Sequence, residues 1–238
     1  MCILLAVTPR GRDDELWIAA NRDERLDRSW APPRLLRDDP PVFGGRDLVG
    51  GGSWLAVSLG AGFVVGVTNA RLGAKPGARS RGQLVLDLAA EATLVDAVAL
   101  LGELDLTQYG AFNVLVTDVS GCWLATNAPA PALRKARARA VALGNDPLER
   151  PGARVVAAAR RAAALAGRDD EGLREGLRTL LADHRGEDPL CRHGERYGTV
   201  CSTILALRGS RVTRYLFAPG RPCTTAFERL SVPSQGGA

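Results

Sequence analysis

Several things are scarce in this sequence. It has two histidines in 238 residues, and Phe, Trp and Tyr together make up 5%. No apolar run reaches the roughly 18–20 residues needed to span a membrane as a helix. The first apolar stretch stops at Pro9 and has no basic stretch before it, unlike a signal peptide. No run of basic residues interleaves with aromatics, which argues against a nucleic-acid partner. The five cysteines, at 2, 122, 191, 201 and 223, are odd in number and irregular in spacing. With no export signal, that pattern fits reduced thiols and a cytoplasmic location. No CxxC occurs. Cys191 and His193 are the one close Cys/His pair, and two groups do not make a zinc site.

The composition otherwise supports a folded core. Apolar residues are 46% and charged residues 24%, near the globular norm. The length suits one large domain or two small ones. With no linker and no repeat, a single domain over 1–238 is expected, with a frayed tail from Ser231. The formal charge is +5, and arginine supplies most of the excess. Such a balance suits small anionic ligands. The stretch Arg134-Lys135-Ala136-Arg137-Ala138-Arg139 reads as a solvated helix face or loop.

The most informative stretch runs from Cys2 to Glu24. Two apolar runs, 2–7 and 16–20, flank a Pro-, Gly- and Asp-containing connection, which predicts a buried β-hairpin. The second strand is expected to end in the polar turn Asn21-Arg22-Asp23-Glu24. A hairpin returns the chain to its start, so these side chains should approach Cys2. Cys is commonly a small core hydrophobe. Position 2 adds a second possibility. Met1 is removed when residue 2 is small, which would leave an α-amine and a thiol on one residue. With a pKa near ~7.7–8.0, that amine can act as base for its own side chain.

Further along, residues 25–46 hold four prolines and many charges and read as a surface excursion. Gly50-Gly51-Gly52 reads as a turn before a strand over 53–58, and a strand over 63–68 follows to deliver Asn69 and Arg71. Ser80 and Gln83 have capping-box spacing before a helix that buries Leu84, Val85, Leu88 and Ala89. Its amino terminus, with Arg79 and Arg81, could hold an anion. Helices are expected over 94–104, 153–166 and 171–182, the last burying Leu173, Leu177, Leu180 and Leu181. Hairpins are expected over 111–127 and 201–217. Hairpins alternating with helix pairs predict an α+β fold: two antiparallel sheets with helices on both outer faces.

Thiol acyl transfer needs a base, an oxyanion donor and a group that orients the base. Here the Cys2 amine is the candidate base, Asp23 the orienter and Asn69 the donor. Asn21, Arg22, Glu24, Arg71 and Arg81 are candidates for lining a pocket and fixing an anionic ligand.

Cys2 followed by an apolar strand and Ala20-Asn21-Arg22-Asp23-Glu24 resembles the NRDE-motif family, to which transport-and-Golgi-organisation proteins belong. Gly44-Gly45-Arg46-Asp47, Gly51-Gly52-Ser53-Trp54, Val67-Thr68-Asn69-Ala70-Arg71, Ser80-Arg81-Gly82, Phe112-Asn113, Gly144-Asn145 and Tyr197-Gly198-Thr199 extend the resemblance in order. That family is similar to the N-terminal-nucleophile hydrolases of the cysteine penicillin acylase and bile-salt hydrolase type. The resemblance implies a four-layer αββα sandwich, and it gives Asp23, Asn69 and Asn145 catalytic places. It also implies two functions. One is carriage of an amphipathic ligand, haem or an acyl-CoA or other lipid. The other is a Cys2-dependent amidohydrolase or thioesterase. No cofactor is required by either. If haem is the ligand, His184, His193 and Cys2 are its candidate axial groups. Oligomeric state is not legible.

Overall fold

The computed structural model describes residues 2–70 and 77–233. Its first two strands, β1 (Ile3–Val7) and β2 (Glu15–Arg25), form the expected hairpin, with Ile3 opposite Asn21 and Val7 opposite Trp17. The polar tetrad, expected as a turn after β2, is instead the closing stretch of the strand itself, followed by Arg25. The reason lies on the other edge of β2. There β11 (Tyr197–Arg208) pairs with it antiparallel as far as Tyr197 opposite Arg25, so the backbone of 21–25 has a ladder to join.

Around this pair a six-stranded sheet is ordered β10 (Ala140–Leu143), β1, β2, β11, β12 (Arg211–Ala218) and β13 (Glu228–Arg229). The second sheet has seven strands in sequence order: β3 (Trp30–Arg37), β4 (Val42–Asp47), β5 (Leu55–Ser58), β6 (Phe63–Asn69), β7 (Phe112–Asp118), β8 (Gly121–Thr126) and β9 (Ala132–Ala136). Every pairing between these named strands is antiparallel.

Period-two alternation divides the side chains between two faces. On β1 and β2, Leu4, Ala6, Leu16, Ile18 and Ala20 enter the core between the sheets. Ile3, Leu5, Val7, Trp17 and Ala19 face the other way, onto α3 (Ala153–Leu165) and α4 (Asp170–Leu181). The seven-stranded sheet likewise turns Phe63, Val65, Val114 and Val116 onto α1 (Arg81–Ala89) and α2 (Leu94–Glu103). The layers are therefore α, β, β, α. The expected buried faces of α1 and α4 are those observed. Burying leucines of this kind contributes roughly 1.5–3 kcal/mol each.

Four local expectations change. Residues 30–47 are a hairpin, β3–β4, rather than an irregular excursion. Its Pro32 and Pro33 are tolerated because β3 is an edge strand, where a missing N–H leaves no ladder bond unmade. The arginine-rich stretch begins as the opposite edge, β9, not a helix or loop; charges there discourage edge-to-edge association. Ser80 precedes α1 without a side-chain cap bond, and Gln83 instead donates to Asp87 Oδ1 at 2.9 Å, so no capping box forms. Finally, Leu230 and Val232 pack against the inter-sheet core, so the tail is held to at least that point. Residues 234–238 lie outside those described.

Candidate active site

Cys2 continues the alternation of β1 and enters a cavity of about 500 Å³ at one end of the inter-sheet space. Its Sγ lies 3.7 Å from the backbone oxygen of Asp23, which also accepts from the Tyr197 hydroxyl at 2.5 Å. Burial raises the Cys2 thiol above its ordinary value of 9.0, against an opposing pull from Arg22. At neutral pH the thiol is therefore protonated. Neither histidine lines this cavity.

Asp23 is fully withdrawn from solvent. Thr199 Oγ1 donates to its Oδ1 at 2.6 Å, and Arg154 Nη2 from α3 donates to its Oδ2 at 3.2 Å. Arg192 Nε stands 3.7 Å from the same Oδ2. Burial pushes the Asp23 carboxyl up, while Arg154 and Thr199 favour its charged form. These partners hold the carboxylate in one orientation.

Arg22 points between the sheets and is 3% exposed. Its guanidinium lies over the Trp54 ring at 4.4 Å, and Nη2 donates to Asp47 Oδ2 at 3.0 Å. Its buried Nη1 has no hydrogen-bond partner among the described residues. Asp47 also accepts from Arg28 Nε at 2.8 Å and from the Gly50 N–H at 2.7 Å. Burial works to raise the Asp47 carboxyl, but these donors outweigh it and hold the group below its usual value. Glu24 sits near both arginines, at 3.8 and 3.7 Å.

Across the cavity stands Asn69, the last residue of β6, exposed and with no side-chain partner among the described residues. Asn145 follows β10. Its Nδ2 donates to the Asn69 backbone oxygen, and its buried Oδ1 has no partner among the described residues. The Asn145 loop is held from the opposite sheet. Thr68 Oγ1 donates to the Gly144 oxygen at 2.5 Å, and Asn113 Nδ2 donates to the oxygens of Gly144 and Asp146 at 2.9 and 2.8 Å. The start of α1 closes the cavity with Arg79, Ser80 and Arg81. Burial lowers the Arg81 guanidinium, whose Nη1 donates to the Ala111 oxygen at 3.0 Å. Gly52 permits this approach, since a Cβ there would meet the Gly82 carbonyl carbon at 2.0 Å.

The structure thus brings Cys2, Arg22, Asp23, Glu24, Asn69, Arg81 and Asn145 to one cavity. Asn21 departs. Alternation turns it to the helices, where Nδ2 donates to the oxygens of Leu181 and Leu190 at 2.9 and 2.8 Å and Oδ1 accepts from Ser202 at 2.6 Å. It ties the strand to the helical layer and does not line the cavity. Arg71 lies outside the described residues. Arg154, Thr199, Tyr197 and Arg28 were not singled out as site residues from sequence. Tyr197 and Thr199 belong to a motif carrying the resemblance, which gave a signal without a role. Arg154 gave none.

Three comparisons bear on this arrangement. The family model for Transport and Golgi organisation 2 matches residues 1–216. A search of curated protein sequences finds no match. Among solved structures, the chain is similar to an N-acylethanolamine-hydrolyzing acid amidase ortholog from Caenorhabditis elegans. The TM-score is 0.60 at 14% identity, over 88% of this chain and 93% of that one. At that identity the likeness establishes the fold, that of the N-terminal-nucleophile hydrolases.

Proposed function

The chain belongs to the Transport and Golgi organisation 2 family, and from that premise we propose that it is a Cys2-dependent hydrolase of a small anionic amide or thioester. The observation that carries this reading is the meeting of the Cys2 thiol, the held Asp23 carboxylate and the unengaged Asn69 amide around one cavity. Removal of Met1 exposes the Cys2 α-amine, the base the thiol requires. The Asp23 carboxylate favours the ammonium formed as the amine takes the thiol proton. Asn145 Oδ1, buried and unpartnered, is the further acceptor assigned to that ammonium.

The chemistry then balances. The Cys2 thiolate attacks the carbonyl carbon, the C–S bond forms, and the carbonyl electron pair moves to oxygen. Asn69 Nδ2 stabilises that oxyanion. Collapse breaks the bond to the leaving group, which takes the proton from the ammonium and departs as an amine or a thiol, freeing the α-amine. Water, deprotonated by the freed amine, releases the acid and restores the thiol.

Substrate class follows from the walls. Arg22, Arg28, Arg79 and Arg81 outnumber Asp23, Glu24 and Asp47 in the lining by one, and the volume suits a small molecule. The unpartnered Arg22 Nη1 is a ready donor to a carboxylate or phosphate. The same arginines would suit the propionates of haem or the phosphates of an acyl-CoA, and this favours carriage as the second reading. Trp54 and Val67 are the large apolar side chains of the lining, which supports a polar substrate over a bare lipid tail.

The test is incubation of the Met1-cleaved chain with carboxylate- or phosphate-bearing acyl amides and acyl thioesters. Turnover is followed together with intact mass. The expected result is an acyl adduct on Cys2 and hydrolysis that falls by at least about 10³-fold in Cys2→Ala. Absence of adduct and turnover, with haem or acyl-CoA binding equally well to wild type and Cys2→Ala, would replace hydrolysis by carriage.

A further inference from the structure

Away from the Cys2 cavity, the loop that follows α4 folds back on itself. The Cys191 N–H donates to the Asp183 oxygen at 2.9 Å, which brings residue 191 beside residue 184. The chain reverses again between 194 and 198. A Cβ at Gly194 would meet the Tyr197 oxygen at 2.3 Å, and one at Gly198 would meet the Arg192 oxygen at 2.7 Å. From the segment after β12, a turn closed by Thr224 and Thr225 N–H groups on the Arg221 oxygen sets Cys223 against the same spot.

Four soft or borderline donors therefore converge from three places in the sequence. His193 Nε2 lies 3.0 Å from Cys223 Sγ and 3.7 Å from Cys191 Sγ, and the two sulfurs are 3.5 Å apart. His184, His193 and Cys223 place ligand atoms within 4.8 Å of one another. A tetrahedral zinc ion with Zn–S ≈ 2.3 Å and Zn–N ≈ 2.0–2.1 Å has S–S edges of about 3.8 Å, S–N edges of about 3.5–3.6 Å and N–N edges of about 3.3–3.4 Å. The S–S edge and the two S–N edges here fall within about 0.6 Å of those values. His184 Nδ1 also stands 3.2 Å from the Ala182 oxygen. That hydrogen bond leaves Nε2 as the ligand atom, and a backbone acceptor on the other ring nitrogen is the usual support of a metal-bound histidine.

We propose that His184, Cys191, His193 and Cys223 form a structural zinc site that ties the segment after β12 to the loop after α4. Sequence spacing conceals it, since the ligands fall at 184, 191, 193 and 223 and only one pair is local. Two thiolates and two neutral imidazoles balance Zn²⁺, so binding releases two protons, one from each thiol, to solvent. Sulfur–nitrogen ligation of this kind suits zinc over calcium or magnesium, which take oxygen ligands. A disulfide between Cys191 and Cys223 is the competing outcome. It would not account for His193 Nε2 set against both sulfurs, or for His184 beside Cys223.

The site lies behind the catalytic machinery. The Leu190 oxygen accepts from Asn21 and Arg154, and Arg192 N–H donates to Thr199 Oγ1, which holds Asp23. A metal pinning 191 and 193 would fix both supports. The inference stands whether or not Cys2 is a nucleophile.

The test uses the full chain, reduced and stripped of metal by chelator, then titrated with Co²⁺. Saturation at one ion per chain is expected, with a thiolate-to-cobalt charge-transfer band and intense tetrahedral visible bands. One equivalent of Zn²⁺ should remove them. Cys191→Ser and Cys223→Ser should lose the charge-transfer intensity, and His184→Ala should weaken binding at least tenfold. Cys122→Ser and Cys2→Ala should keep the wild-type titration. His184 is exposed and Cys223 partly so, hence His184→Ala and Cys223→Ser should retain the fold and carry the test, while Cys191 is buried and its variant is read only beside them. No thiolate band, a band that survives Cys223→Ser, unaltered affinity in His184→Ala, or a Cys191–Cys223 disulfide that re-forms in preference to metal binding would each overturn the proposal.

Discussion

An amide that does not titrate is a suitable oxyanion donor, and Asn69 presents one, unengaged, at the edge of the Cys2 cavity. Asn69→Ala should lower kcat about 10²–10³-fold with little change in KM, measured on any substrate that acylates Cys2. A change confined to KM would reassign Asn69 to ground-state binding. At this scale the sequence was partly legible. Cys2 and Asp23 could be placed together because a hairpin returns the chain to its origin. Alternation also held a further lesson: Asn21 and Arg22 are neighbours on one strand and cannot face the same way. Arg22 follows Ala20 into the inter-sheet space, and Asn21 follows Ala19 to the helices. Arg154 was not legible. It stands on α3 beside Val155 and Ala158, and only its partner on another element explains a buried guanidinium there.

Elements position these residues through bonds that cross between sheets. Asn113 on β7 holds two carbonyls of the loop that carries Asn145. Asn113→Leu leaves the Asp146 oxygen without that donor and deprives the Gly144 oxygen of one of two. It should destabilise the chain by about 2–4 kcal/mol in urea unfolding. Stability within about 0.5 kcal/mol of wild type, a change typical of uninvolved surface sites, would show that the loop is held by other means. The helices were the most legible elements, since Leu84, Val85, Leu88 and Ala89 or the leucines of α4 repeat at helical spacing. The edge strands β3 and β9 were misread because prolines and arginines, which mark loops on average, are also the residues an edge accommodates. The four-residue β10 was missed because so short a run carries no readable period.

Across the whole molecule, alternating hairpins and helix pairs were enough to place two sheets between two helical layers. The comparison with a solved amidase agrees with that architecture. No helix among the described residues is long and apolar enough to cross a membrane. Charge is not evenly spread: four arginines and three carboxylates, Asp23, Glu24 and Asp47, gather around one cavity. What connects architecture to chemistry is the position of Cys2, whose thiol is held above 9.0 by burial. The neutral thiol therefore persists to higher pH than usual, and thiolate forms only as pH rises, unless the residue's own amine takes the proton. The most direct measurement is the rate of Cys2 alkylation by iodoacetamide against pH. The Met1-cleaved chain is compared with a form extended by one uncleavable residue. The cleaved chain should react at least tenfold faster at pH 7, with the extended form gaining only above about pH 9. Equal rates in the two forms across that range would contradict the central claim.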